Sequence, residues 1–75
     1  DHAVLVHVDA TLELDELLRK LAQEDARSAQ VLELHYFAGL TGEAVAEMLS
    51  LNRRTILRDL EFAKAYIRAH WTSGD

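Results

Sequence analysis

The stretch that most restricts how this chain can fold is residues 39–59, GLTGEAVAEMLSLNRRTILRD. It carries two helix-start signals separated by one short interruption. Thr41 has the side chain of a good N-cap, and Glu43 follows in the first turn, where a negative charge suits the helix dipole. Val45, Met48 and Leu49 then form an apolar face, with Met48 expected as flexible core filler. Between them Ala46 is small enough to let a second helix approach closely. Ser50-Leu51-Asn52 breaks the pattern, and Asn52 is a second good cap. Ile56, Leu60, Ala63 and Ile67 follow at spacings of 4, 3 and 4, one buried line of a long helix. Arg53, Arg54 and Arg58 fall on its other side. A capped short helix, a tight turn and a basic helix make a helix-turn-helix.

The rest of the chain supplies helices to pack this unit against. Leu14, Leu17, Leu18 and Leu21 make one stripe, which predicts a helix over about 11–24. Thr11 is its expected cap, with acids early and Arg19 and Lys20 late, as the macrodipole prefers. A second helix is expected over about 26–38, capped by Asp25 and apolar nearly all round through Ala29, Val31, Leu32, Leu34, Tyr36 and Phe37, hence the most buried. Gly39 suits a left-handed C-terminal cap, with Leu40 folding back onto the helix. The third and fourth helices are expected over about 42–49 and 53–70, the fourth ~27 Å long at 1.5 Å per residue. Trp71 is placed to close the base of the core against helix one. Residues 1–10 read as a linker: Ala3 to Val8 has strand-like composition, but no second strand exists to pair with it. Residues 72–75 read as a frayed end. The expected fold is therefore all-α, one four-helix domain over 11–71 containing a helix-turn-helix.

Composition excludes several functions. With no cysteine, a disulfide scaffold or thiolate metal site is ruled out. No run approaches the ~20 apolar residues of a membrane span, and no signal-peptide pattern is present. His2 and His7 lack the partner ligands of a metal site, and Asp15 and Glu16 read as a solvated helix face. His35 reads as a half-exposed imidazole with no nucleophile beside it. Neither an enzyme nor a cofactor is expected. The chain opens on Asp1 rather than Met, which reads as a piece of something longer. The net charge of −5 argues at first against nucleic acid, but residues 1–52 carry ten acids and three bases, and residues 53–75 five bases and three acids. The basic end coincides with the fourth helix.

The runs VLELHYFAGLT at 31–41, EAVAEML at 43–49, RTILRD at 54–59 and FAKA at 62–65 resemble region four of an extracytoplasmic-function (ECF) sigma factor of the sigma-70 family. Response-regulator DNA-binding domains share part of the pattern and are the nearest rival. The sigma resemblance implies a cytoplasmic, non-enzymatic domain of RNA polymerase holoenzyme that recognises the promoter −35 element. It implies contacts from the N-terminal part of the fourth helix, so Arg53, Arg54, Thr55, Leu57, Arg58 and Lys64 become the candidate DNA-binding residues. Arginine suits the role because its planar fork pairs with guanine or phosphate at two points. It also implies docking on the β flap of the polymerase core, mainly through the first two helices, and an anti-sigma protein as a further partner. Four positions depart from the family pattern. Ser50 stands for a turn glycine, Arg53 for a proline, Leu57 for a basic residue and Glu61 for an arginine. Leu57 and Glu61 together open the alternative of a protein-interaction module that keeps the fold without reading promoters.

Overall fold

The structure is a computed structural model that describes the backbone of residues 2–71 and the side chains of residues 13–71. It is all-α. Helix α1 spans His2–Glu24, α2 spans Ala26–Leu32 and continues as a π-helical turn over Glu33–Phe37, α3 spans Gly42–Leu49 and α4 spans Arg53–His70. Helix α2 lies at the centre, against both α1 and α4, while α3 packs on α4 and on the π turn.

Three of the expected caps form. The Asp25 carboxylate accepts from the Ser28 N–H at 3.1 Å, Thr41 Oγ1 from the Ala44 N–H at 3.0 Å and Asn52 Oδ1 from the Arg54 N–H at 2.7 Å. Each removes one orphan donor from a helix start. Thr11 does not stand at a helix start, because α1 begins at His2 and runs straight through it. The expected linker over 1–10 is thus helical from residue 2. Strand-leaning residues with no partner strand leave backbone groups unpaired, whereas extending an existing helix closes those bonds locally and avoids a new nucleus. The expected frayed end at 72–75 lies outside the described residues, as do the side chains of His2 and His7.

The core joins Leu17 and Leu21 of α1, Ala29, Val31 and Leu32 of α2, Val45 and Ala46 of α3, and Ile56, Leu60 and Ala63 of α4, with Ile67 partly buried beside them. The inward line of α4 is as its spacing predicts. Met48 is not core: it is 60% exposed, and its place inside is taken by Val45 and the half-buried Leu49. An eight-residue helix has room for only a narrow inner stripe, and Met48 lies beyond its edge.

The second helix also departs from expectation at its end. The Ala38 N–H donates to the Glu33 carbonyl at 3.0 Å, a π-type bond, and the Leu40 N–H reaches back to the Leu34 carbonyl at 3.0 Å. Gly39 takes φ 78° between them, the left-handed cap its sequence suggested. His35 Nδ1–H donates to the Leu40 carbonyl at 2.8 Å and ties down the returning loop. Tyr36 and Phe37 are not buried, being 53% and 60% exposed, because the described residues around them leave an open groove. They line an open groove of about 510 Å³ with Leu14, Ile67 and Trp71, and Lys64 and Arg68 on the lining as well. Trp71, half-buried, lines this groove together with Leu14 of α1.

Candidate nucleic-acid interface

The turn between α3 and α4 is built tightly. The Ser50 N–H donates to the Glu47 carbonyl and the Leu51 N–H to the Ala46 carbonyl at 2.9 Å, with Ser50 left-handed at φ 56°, ψ 44°. These are the paired bonds of a Schellman motif, made here without its usual glycine. Leu51 then packs against the core, and Asn52 starts α4 one residue later. Ala46, 9% exposed, sits at the α3 side of this junction, where its small side chain suits close packing. Reversal in three residues leaves no slack, so α3 and the core set the direction in which α4 sets out.

With Ile56, Leu60 and Ala63 inward, the opposite side of α4 faces solvent. Arg53, Arg54 and Arg58 are all exposed, Leu57 is 51% exposed among them, and Thr55 is half-buried. Arg54 and Arg58 are one turn apart and share a face. Among the described residues none of these three arginines is held in an ion pair. The first turn of α4 contains no acid. Cations at a helix N-terminus oppose the macrodipole and cost about 0.3–1 kcal/mol each. A local rule broken with no compensating contact in the fold marks a surface shaped for something other than stability. Three guanidinium groups beside the remaining free N–H groups of a helix start are an arrangement that can attract an anion.

Of the two acids of α4, Asp59 is taken inward, while Glu61 is exposed one turn beyond Arg58. Asp59 is 3% exposed and is held by Arg27 of α2, with Nε to Oδ2 at 2.6 Å and Nη2 to Oδ1 at 3.3 Å. Hydrogen bonding to Asp59, and then its charge, hold the Arg27 guanidinium above its already high ordinary pKa. Glu61 lies 3.8 Å from Lys64 Nζ, which is also 6.0 Å from the centre of the Tyr36 ring. Lys64 thus sits on the groove, ten residues or ~15 Å along the axis from Arg54. The structure brings Arg53, Arg54, Thr55, Leu57 and Arg58 together at one end of the helix and sets Lys64 apart. The sequence reading missed the groove and the Arg27–Asp59 pair. Tyr36 and Phe37 were visible as aromatics at the end of an apolar helix, but nothing local said they would lack a cover. A pair 32 residues apart leaves no periodic trace.

No described helix is long and apolar enough to cross a membrane. Comparisons with curated proteins and with solved structures gave no match. The family model for ECF sigma factors matches residues 1–73. That match spans nearly all of the chain and agrees with a four-helix fold that presents a capped, arginine-bearing second helix of a helix-turn-helix. The chain belongs to the ECF sigma factor family, whose members act with RNA polymerase in transcription initiation and are not enzymes.

Proposed function

We propose that this chain reads the promoter −35 element within RNA polymerase holoenzyme, with the N-terminal half of α4 in the major groove. The observation that carries this reading is the set of three exposed arginines at the start of α4, unpaired among the described residues and held outward by a buried aliphatic line. Arg54 and Arg58 reach base edges or flanking phosphates, and Arg53 holds a phosphate. Thr55 bonds a phosphate or touches a thymine methyl, and Leu57 offers apolar contact to thymine methyls. Lys64, 3.8 Å from Glu61, partly offsets that acid's repulsion of the backbone. The groove between α1, the π turn and α4 is the matching seat for the polymerase β flap. It is apolar and has a basic edge from Lys64 and Arg68, which suits an apolar helix flanked by acids. An anti-sigma protein covering either surface would silence the factor.

The net charge of −5 keeps isolated binding weak. Three to five neutralised phosphates at about −0.9 each give a salt slope of roughly −3 to −5 for the DNA contact. The test is binding of the holoenzyme to duplexes randomised over the −35 region. Arg54→Ala and Arg58→Ala are each expected to cost ~1–3 kcal/mol and to relax preference at one base position. Unchanged preference in both variants would take these arginines out of the interface.

The exposed Leu57 favours a second reading, a protein-interaction module that has given up promoter reading. It predicts tight protein binding and a holoenzyme indifferent to −35 sequence, so the same randomised duplexes decide between them.

A further inference from the structure

We infer that the Arg27–Asp59 pair is a positioning clamp that sets the rotation of α4, and so decides which side chains reach the duplex. The inference rests on the promoter-reading proposal above and assigns a role to two residues that touch no DNA in it.

The aliphatic contacts of α4 decide which side of it faces in, but fix its rotation only coarsely. Ile56, Leu60 and Ala63 are buried, but apolar contact is non-directional. A helix side chain tip lies about 6 Å or more from the axis, so a 20° roll displaces it by about 2 Å. That exceeds the width of the hydrogen-bond distance range, about 2.7–3.2 Å for N–H···O. Sites of this kind need supporting contacts that hold them within about 10–20°. A two-point fork from Arg27 to Asp59 supplies the direction the core lacks. Its anchor is firm, because Arg27 is the second residue of α2, Asp25 caps that helix, and Ser28, Ala29, Val31 and Leu32 beyond it are buried. Asp59 directly follows Arg58, so fixing its carboxylate fixes the bearing of the arginine beside it.

Stability alone is a weak reason for this pair. The Asp59 carboxylate is buried and loses its hydration, while the Arg27 side chain is 47% exposed, so solvent screens the attraction that would offset that cost.

The experiment uses the native factor containing this chain, assembled with core RNA polymerase, and a duplex library randomised over the −35 region. The double variant Arg27→Met/Asp59→Leu should melt at the same temperature as the unaltered factor or higher, and assemble normally with core. Its preference between best and single-mismatch duplexes should fall by about tenfold. Arg27→Lys keeps the charge but replaces the fork with a point contact; its salt slope should stay the same while sequence preference falls part of the way. The Lys variant keeps the question answerable should the double variant not fold. Full sequence preference in a folded double variant, or in Arg27→Lys, would overturn the clamp and leave the pair as a structural contact. A factor that shows no −35 preference before any substitution would instead overturn the promoter reading, and the clamp with it.

Discussion

Ser50 shows how a single residue can be out of step with its surroundings. It holds φ 56° at the pivot of the helix-turn-helix, a conformation that costs an L-residue roughly 1–2 kcal/mol and glycine little. Ser50→Gly removes that strain but adds ~0.4–1 kcal/mol of unfolded-chain entropy. The expected net gain is ~0.5–1 kcal/mol, a rise in melting temperature of about 3–6 °C for a domain of this size. Thermal denaturation by circular dichroism checks it, and an unchanged or lower melting temperature would refute the strain. Gly39 is the opposite case: a Cβ would meet nothing within 4 Å, yet φ 78° alone makes any other residue there strained.

At the scale of one element, α4 trades stability for a surface. Its first turn sets Arg53 and Arg54 against the helix dipole with no acid to offset them. Arg53→Glu should therefore stabilise the fold by ~0.6–2 kcal/mol, since it removes an unfavourable charge and installs a favourable one. The same change should weaken DNA binding and flatten its salt slope by about one unit. Opposite movement of melting temperature and affinity is the signature; a loss of both would mean that Arg53 serves the fold. The acids of α4 fit the same division, with Asp59 taken inward by Arg27 and Glu61 drawn toward Lys64, leaving the arginine end basic.

Across the whole molecule, two surfaces lie along one helix without overlapping. The arginines occupy the start of α4, and Lys64, Ile67, Arg68 and Trp71 line the groove near its end. The groove also takes Leu14 from α1 and Tyr36 and Phe37 from the π turn, so it exists only where three elements meet. Phe37 is 60% exposed, and its truncation leaves the core intact. Phe37→Ala should change stability by less than ~0.5 kcal/mol. It should weaken assembly with core RNA polymerase while the arginine surface stays as it is. Pull-down with core polymerase, beside a melting curve, checks this; wild-type assembly would place the flap elsewhere.

Reading the chain alone reached as far as local physics reaches. Caps at Asp25, Thr41 and Asn52, the left-handed Gly39 and the inward line of α4 are each decided by neighbours within about a turn, and so are written in order along the chain. The same holds for Arg53, Arg54 and Arg58, which face outward because Ile56 and Leu60 face in. Whatever depends on what lies opposite was not legible. Met48 and Phe37 look like core residues by composition, but burial requires a covering element, and no pattern in their own helices reports its absence. The start of α1 likewise depended on strand partners, of which the described residues hold none. Lys64 fell to the groove and Asp59 to Arg27 because tertiary packing brought Tyr36 and α2 within reach. Hydrogen bonds and charges act over a few ångströms in space, and only the folded chain says which residues share that space.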